Sequence, residues 1–308
     1  MKQFLYKTCL FFALIVGFDV VFGFAMGYIN DHIDIGGVGR DNYICNNVTD
    51  DIIIFGSSRA EHHYNAQMIT DSVGASCYNC GEGGCGIILA YGRLLMLLER
   101  YTPKTIIYEV TPNYDFLDVG MADYQKYLYR LKQHYNRPGI SDIFYDIDHK
   151  EKYKMMSGMY RYNSSWINNV VVFFLGKSTD TGVRGYRPFY GDMDPMKILG
   201  NDYILYDSKE GYAYDSLKLQ YVDKFLEKTK DMDVVFVVSP VWYGQDSKVL
   251  EPMKKICKKW NTRLIDYTND PKYVHNNQYF KDGTHLNSYG ADEFTKDLIN
   301  ELRKEGFF

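Results

Sequence analysis

Short apolar runs alternate with stretches of helical periodicity along most of the chain. The strand-like runs lie at residues 51–55, 76–79, 105–110, 234–238 and 263–266. Runs that are apolar at successive positions are typical of parallel strands covered on both faces. Between them, apolar residues recur every three or four positions at 87–100, 217–225 and 294–302, which predicts helices. This alternation predicts an α/β fold, a three-layer α/β/α sandwich around a five-stranded, mostly parallel sheet.

One long stretch interrupts the alternation. About a hundred residues, 117–215, separate the third predicted strand from the helix before the fourth. They include tyrosine-rich helical material at 124–135, a second helical segment at 149–174, and a loop marked by glycine and proline at 176–195. A connection of this length is unusual inside a compact domain. We interpret it as an insertion that forms a lid or substrate-binding cap, and a peripheral packing element is the alternative.

The longest apolar run lies near the N-terminus, at residues 9–28, and is long enough to cross a bilayer as a helix. Lys2 and Lys7 precede it, and Asp31 and Asp34 follow it. The positive-inside rule then places the N-terminus in the cytoplasm and the rest of the chain outside. The predicted organisation is an N-terminal anchor or signal at 1–30, followed by one domain at 31–308 that contains the insertion.

Asp19 is the one charged residue within this apolar run. A carboxylate at the centre of a spanning helix costs about 3 kcal/mol, whereas each Leu, Ile, Phe or Val contributes roughly 0.3 to 0.6 kcal/mol. Eleven such residues lie between Leu10 and Phe24, so insertion is still favoured. Ala25 and Gly27 fit the small-x-small pattern of a signal peptidase site, so a cleaved signal is the alternative to an uncleaved anchor.

Charge and cysteine content narrow the possible partners and cofactors. The net charge of −4 comes without any dense block of Lys or Arg, which argues against nucleic acid as a partner. Of the six cysteines, Cys9 lies in the predicted anchor and an odd five remain. Cys77, Cys80 and Cys85 lie close together but have no regularly spaced fourth ligand for zinc. We interpret the cysteines as small buried side chains with at most one disulfide, and expect neither a metal nor an organic cofactor.

Two segments at strand exits carry the candidate chemistry. The first predicted strand ends in Gly56-Ser57-Ser58, where a hydroxyl at the start of a helix points towards the carboxyl edge of the sheet. Capping of the helix is the alternative role for these hydroxyls. Near the C-terminus, Asp282 precedes His285 by three residues, so the carboxylate can reach the imidazole and orient it. A serine hydroxyl needs such a base to act as a nucleophile.

Four sequence blocks, in the expected order, resemble the SGNH/GDSL hydrolase superfamily from the first strand to the last helix, apart from the insertion. Gly56-Ser57-Ser58 stands where that family has Gly-Asp-Ser, so the resemblance implies that Ser58 is the nucleophile and that Ser57 replaces an aspartate. The segment at 79–84, which ends in Gly84, is similar to the glycine block. The segment at 111–114 lies where the family has Gly-x-Asn-Asp. Asp282 and His285 match the Asp-x-x-His block.

The resemblance implies a flavodoxin-like fold and an oxyanion hole made of the Ser58 and Gly84 N–H groups and the Asn113 amide. Thr111 and Tyr114 depart from the third block, where the family prefers glycine and aspartate. The overall layout is similar to that of the DltD-like proteins and the alginate acetylation proteins, which have an N-terminal helix followed by an extracytoplasmic domain.

A few neighbouring residues are weaker candidates. Arg59 is expected either to bind an acidic group of the substrate or to pair with a carboxylate. Trp242 and Tyr243 leave the fourth strand on the predicted active face, so we expect them either to line the pocket or to serve packing. His62 and His63 follow Ser58 closely, but we expect them to contact solvent or the cap rather than to take part in catalysis.

The function expected from these features is that of a serine esterase or O-acyltransferase. It would act on ester-linked acyl groups of cell-envelope glycans or lipids, at the outer side of the cytoplasmic membrane, through an acyl-serine intermediate. The alternative is a catalytically inactive, membrane-anchored protein that uses the same fold to bind a glycan or a partner.

Overall fold

The computed structural model describes residues 1–120, 122–163, 165–176, 182–193 and 211–308. Contacts divide the chain into two compact units, one made of residues 1–47 and 127–180 and the other of residues 48–126 and 181–308. The predicted insertion and its predicted loop at 176–195 lie partly outside the described residues.

A five-stranded sheet forms the centre of the second unit. Its strands are β1 (Ile52–Phe55), β2 (Cys77–Asn79), β3 (Thr105–Glu109), β4 (Asp233–Val238) and β5 (Arg263–Asp266). The strands follow the order β2-β1-β3-β4-β5, and every neighbouring pair is parallel. The predicted fold class is confirmed. From β1 the chain first adds β2 on one side and then crosses to add β3 on the other side. Such a switch point between β1 and β3 leaves a crevice at the carboxyl ends of those two strands.

Helices connect the strands, with turns and short loops between them. In chain order they are α1 (Lys2–Asp31), α2 (Gly36–Asn46), α3 (Ser58–His63), α4 (Ala66–Val73), α5 (Ile87–Leu98), α6 (Pro112–Asp115), α7 (Ala122–Leu131), α8 (Ile140–Ile147), α9 (Glu151–Lys154), α10 (Gly158–Tyr162), α11 (Trp166–Leu175), α12 (Ser216–Lys228), α13 (Glu251–Trp260) and α14 (Ser288–Lys304). The three helices predicted from periodicity correspond to α5, α12 and α14.

Successive strand residues point to opposite sides of the sheet, so both faces carry apolar side chains. Helices cover both faces. On one face, Ile54 and Val237 belong to an apolar cluster that includes Phe294 of α14. On the other face, Phe55 and Tyr108 meet the ring of Phe225 on α12, with ring centroids 5.8 and 5.4 Å apart. The result is the predicted three-layer arrangement.

The first unit contains α1, α2, the second half of α7 from Tyr127 on, and α8 to α11. Helix α1 has 30 residues and is apolar enough to cross a membrane, which is compatible with an anchor or a signal sequence. Helices α10 and α11 pack against α1. Helices this short are only marginally stable in isolation, and packing against a longer helix stabilises them.

Two parts of this unit differ from the sequence-based prediction. The polar stretch after the anchor, for which no helix was predicted, contains α2. The second helical segment predicted at 149–174 is three short helices, α9 to α11. Helix α9 ends at Lys154, and Ser157 caps the start of α10, since its hydroxyl accepts a hydrogen bond from the N–H of Tyr160. A hydroxyl that caps a new helix in this way interrupts an otherwise continuous helical pattern.

All six cysteines are free thiols, and five of them are buried: Cys45, Cys77, Cys80, Cys85 and Cys257. Cys9 is exposed on α1. The prediction that the cysteines serve as small apolar side chains is confirmed for these five.

Replacing Phe225 by Ala tests the packing of α12 on the sheet. We expect the free energy of unfolding to fall by about 3 to 5 kcal/mol, because Phe225 is fully buried against Phe55 and Tyr108. Glu227→Ala, at an exposed position of the same helix, should change it by less than about 0.5 kcal/mol. Urea denaturation of the detergent-solubilised chain measures both. A similar small loss in the two variants would contradict this packing.

Candidate active site

Ser58 lies directly beyond the carboxyl end of β1, at the first residue of α3. Gly56 makes the turn possible, since its φ is +140° and a Cβ atom there would lie 2.6 Å from the carbonyl oxygen of Glu109. Ser57 caps α3 through a hydrogen bond from the Arg59 N–H to its hydroxyl, and a second bond of 2.6 Å joins its hydroxyl to that of Thr111. The strand exit therefore presents Ser58 rather than Ser57 at the edge of the sheet.

A tight loop before α14 fixes the positions of Asp282 and His285. The carbonyl of His285 accepts a hydrogen bond of 2.8 Å from the N–H of Lys281. One carboxylate oxygen of Asp282 accepts the N–H groups of Thr284 and His285, both at 2.8 Å. These local bonds turn the chain back on itself, so the acid and the imidazole three residues later face each other.

The structure brings Ser58, His285 and Asp282 into one hydrogen-bonded chain. Nε2 of His285 lies 2.8 Å from the Ser58 hydroxyl, and Nδ1 lies 3.0 and 3.1 Å from the two Asp282 oxygens. Because an ionised carboxylate can only accept, Nδ1 carries the proton and Nε2 accepts from the serine. This is the tautomer that a general base needs in order to take the serine proton.

The environment keeps Asp282 ionised. Burial raises its pKa, but hydrogen bonds from His285 and from the backbone of Thr284 outweigh burial and hold the pKa well below its usual range. The Thr284 hydroxyl donates a further bond of 2.9 Å to the same carboxylate. A charge fixed at this position stabilises the imidazolium that forms when His285 takes a proton.

The loop after β4 supports the loop that carries His285. The N–H of Trp242 donates to the carbonyl of Gly283 at 3.0 Å, and the ring of Tyr243 lies so close that a Cβ atom on Gly283 would be 2.4 Å from it. The indole N–H of Trp242 bonds to the Asn277 side chain at 2.8 Å. Both aromatic residues thus pack against the candidate site, and a role in lining the substrate pocket stays a prediction.

The two loops expected to form the oxyanion hole lie beside Ser58. At Gly83, next to Gly84, an added Cβ atom would lie 3.9 Å from Cβ of Ser58. Asn113 lies in α6, two residues after the Thr111 hydroxyl that bonds to Ser57. Among the described residues, no hydrogen bond joins Asn113 to Ser58 or His285, so its amide role remains a prediction.

Asp115 ties these two loops together, and the sequence analysis missed it. Its buried carboxylate accepts hydrogen bonds from the N–H groups of Thr111 and Ile87, at 2.5 and 2.9 Å, and from the Tyr108 hydroxyl at 2.6 Å. Burial is the main cause that raises its pKa to about 7. The third block of the SGNH/GDSL family ends in an aspartate where this chain has Tyr114. Asp115, one residue later, was the sequence feature that could have indicated this role.

Arg59, one candidate for substrate binding, points into the core instead. Its side chain is 4% exposed and pairs with Glu109 of β3 at 2.9 Å. Its Nε donates to the Ser239 hydroxyl at 3.1 Å, and Ser239 donates its own N–H and O–H to Glu109 at 3.0 and 2.9 Å. Of the two roles considered for Arg59, the structure shows pairing with a carboxylate, because a buried cation needs a nearby anion.

His63 is fully buried and was expected to contact solvent or the cap, so that expectation is wrong. Its Nε2 accepts the N–H of Leu286 at 3.0 Å, so its Nδ1 carries the proton and donates to the Ser239 hydroxyl at 2.8 Å. Burial is the main reason that the pKa of His63 lies well below its usual value. His63 therefore stays neutral and links the residue after His285 to the Arg59–Glu109 pair.

A segment of the predicted insertion borders the candidate site. Phe189 stacks on His62 with ring centroids 3.8 Å apart, and its edge faces His285 at 5.4 Å. Arg187 pairs with Glu61 of α3 at 2.9 Å, and its carbonyl contacts Nδ1 of His62 at 2.5 Å. Burial lowers the pKa of His62. Nothing in the sequence links Arg187 and Phe189 to Ser58, because the contact is purely tertiary.

No protein-family model matches the chain, and no curated protein matches it. Of the solved structures that match it distantly, three serve as examples. A "putative acylhydrolase" from Bacteroides fragilis is 13% identical, and the match covers 81% of this chain and 86% of that one with a TM-score of 0.36. A "putative platelet activating factor" from Streptococcus pneumonia is 12% identical, and the match covers 96% of this chain and 98% of that one with a TM-score of 0.39. The acetyl xylan esterase Est2A from Butyrivibrio proteoclasticus is 10% identical, and the match covers 83% of this chain and 64% of that one with a TM-score of 0.39. Similarities this distant say nothing about the activity of this chain.

The pH dependence of stability tests the position of His63. Because its pKa is lowered on folding, the unfolded chain binds a proton more readily, and stability should fall as the pH drops below about 6.5. The loss should approach about 1.4 kcal/mol per pH unit while His63 stays neutral. Urea denaturation at pH 7 and pH 5 measures this loss in the wild type and in His63→Gln, whose amide can make the same two hydrogen bonds. The variant should lose less stability than the wild type, and an equal loss would contradict a buried neutral His63.

Proposed function

We propose that this chain is a serine esterase or O-acyltransferase that works through an acyl-serine intermediate. The observation that carries the proposal is the continuous hydrogen-bonded chain from the Ser58 hydroxyl through His285 to Asp282. A serine, an imidazole in the matching tautomer and an ionised carboxylate together supply the nucleophile, the base and the group that orients the base.

In the proposed mechanism, His285 takes the hydroxyl proton as the Ser58 oxygen attacks the carbonyl carbon of an ester. The N–H groups of Ser58 and Gly84 and the Asn113 amide would hold the resulting oxyanion. His285 then gives its proton to the departing alcohol oxygen, which leaves the acyl group on Ser58. Water or a second hydroxyl, deprotonated by His285, then attacks the acyl-serine. The acyl bond to the Ser58 oxygen breaks, His285 returns its proton to that oxygen, and the carboxylic acid or the new ester leaves.

Cell-envelope glycans or lipids with ester-linked acyl groups are the proposed substrates. The support is the N-terminal helix, which is long and apolar enough to cross a membrane, together with the similar layout of the DltD-like and alginate acetylation proteins. With lysines before this helix and aspartates after it, the catalytic unit would lie outside the cytoplasmic membrane. Arg187 and Phe189 from the predicted insertion border His62 and His285, which supports a cap role for that part of it.

A fluorophosphonate probe tests the nucleophile. The wild type should be labelled covalently, because the probe captures a serine activated by a neighbouring base. Ser58→Ala should lose labelling, whereas Ser57→Ala, which removes the adjacent hydroxyl, should keep it. Labelling followed by gel fluorescence, with circular dichroism as the check on folding, measures this. Labelling that survives in folded Ser58→Ala would rule out the assigned nucleophile, and an unreactive wild type that still binds glycan would favour the inactive binding protein.

Replacing Asn113 by Ala tests the oxyanion hole. We expect kcat for a nitrophenyl ester to fall by about a hundredfold or more with little change in KM, because the amide would contact the oxyanion only in the transition state. Asn113→Asp should be no better than Ala, since a carboxylate cannot donate to the oxyanion. Steady-state kinetics of the detergent-solubilised chain measure both variants. Turnover within about threefold of wild type would remove Asn113 from the site.

A further inference from the structure

The glycine loop, residues 80–85, lies beside Ser58 and is held in place by most of its own N–H groups. Five of them donate to acceptors in the protein: Cys80 to the Ile54 carbonyl (2.7 Å), Gly81 to the Asn79 side chain (2.9 Å), Glu82 to the Gly56 carbonyl (3.0 Å), Gly83 to the Glu61 side chain (3.1 Å) and Cys85 to the Glu82 carbonyl (3.1 Å). Among the described residues, the Gly84 N–H has no acceptor. A donor intended for an oxyanion must be free in this way, since it has to be available when the charge develops.

Glu61 is the acceptor that the helix of the nucleophile contributes to this loop. It lies on α3 three residues after Ser58, so the two side chains share one side of the helix. A Cβ atom on Gly83 would lie 3.5 Å from Oε2 of Glu61 and 3.9 Å from Cβ of Ser58, and one on Gly81 would lie 2.5 Å from the Glu61 nitrogen. One turn of α3 therefore both presents the nucleophile and fixes the residue before Gly84.

Arg187, from the predicted insertion, holds the Glu61 carboxylate in this position. Its Nη1 lies 2.9 Å from Oε1 of Glu61, and its N–H donates to the Glu61 carbonyl at 3.0 Å. The two carboxylate oxygens thus have separate partners, because Oε2 accepts from Gly83. The Glu61 side chain is only 7% exposed, and a carboxylate so deeply buried is unfavourable without a nearby cation. Without Arg187, Glu61 would tend to turn away from the loop and towards water.

We propose that Glu61 is a positioning residue for the oxyanion hole and that Arg187 supports it in this role. By fixing Gly83, the carboxylate keeps the Gly84 N–H free and turned towards the ester oxygen that becomes negative when Ser58 attacks. This inference rests on the proposed esterase function and gives Glu61 no contact with the substrate. It also gives a segment of the insertion a part in turnover that does not require it to bind substrate.

Length-matched substitutions at Glu61 test the positioning role. Glu61→Met removes the acceptor for Gly83, so kcat for nitrophenyl acetate should fall by about tenfold to a hundredfold with KM within about twofold, because the Gly84 donor acts in the transition state. Glu61→Gln keeps an oxygen that can accept from Gly83 and should stay within about fivefold of wild type. Glu227→Met, the same change at an exposed position of α12, should leave both constants unchanged. Steady-state kinetics of the detergent-solubilised full-length chain measure all three variants.

The matching thionoester separates positioning from a general loss of structure. In this substrate sulfur replaces the carbonyl oxygen, and sulfur is a weak hydrogen-bond acceptor, so the oxyanion hole contributes little. The ratio of kcat/KM for the ester to that for the thionoester should therefore fall in Glu61→Met as kcat falls. The pH dependence of kcat/KM, which reports the ionisation of the base, should stay that of the wild type. An equal loss on both substrates would show that Glu61 only stabilises the fold, and would overturn the proposal.

Arg187→Met tests the support from the insertion. We expect kcat for the ester to fall by about threefold to tenfold, and the ester-to-thionoester ratio to fall with it, since Glu61 can then leave Gly83. Added to Glu61→Met, this change should cause no further loss, because Arg187 acts through Glu61. It also decides the question if circular dichroism shows that Glu61→Met does not fold, since the Arg187 side chain is 32% exposed and lies outside the core. Kinetics of Arg187→Met equal to those of the wild type would overturn the proposal.

Wild-type measurements separate failure of this inference from failure of the proposed function. A wild type with neither ester turnover nor fluorophosphonate labelling would remove both. Normal wild-type turnover, together with folded Glu61→Met that has wild-type kinetics, would remove the positioning role and leave the esterase function in place.

Discussion

A buried polar network at the carboxyl edge of the sheet holds the two halves of the candidate site in register. Arg59 follows Ser58 directly and pairs with Glu109. His63 accepts the N–H of Leu286, which follows His285 directly, and reaches the same carboxylate through Ser239. Ser58 and His285 thus each precede a residue that belongs to, or is hydrogen-bonded to, a common interior cluster. This cluster connects the two segments that bring Nε2 of His285 within 2.8 Å of the Ser58 hydroxyl.

Such a network is costly unless every member is satisfied, because a charge removed from water must regain its hydrogen bonds inside the protein. Here Glu109 accepts from Ser239, Tyr64 and Arg59, and the pKa of His63 is lowered so that the imidazole stays neutral. The arrangement fixes orientation rather than adding much net stability. A nucleophile and a base need that rigidity, since small errors of position cost large factors in rate.

The same principle operates in the first unit, where Asp19 takes the place of Glu109. A carboxylate is unfavourable in an apolar helix considered alone, but it becomes a specific anchor once Ser157 and the start of α10 donate to it. Gly23 of α1 and Gly158 of α10 let the two backbones approach closely next to this carboxylate. In both units, a carboxylate that would be unfavourable without partners bonds to a neighbouring segment and holds it in place.

The amino-acid sequence alone determined the strands, the main helices and the local Asp282–His285 turn, because apolar periodicity and short-range hydrogen bonds act within a few residues. It also made Ser58 a candidate nucleophile, through its strand exit and through the resemblance of the surrounding blocks to the SGNH/GDSL superfamily. It did not reveal the inward direction of Arg59, the buried role of His63 or the approach of Phe189. Those depend on which distant segments meet, 223 residues apart for His63 and Leu286. Only tertiary packing decides such contacts, since the free energy of a buried polar group depends on the partners that the whole fold brings to it.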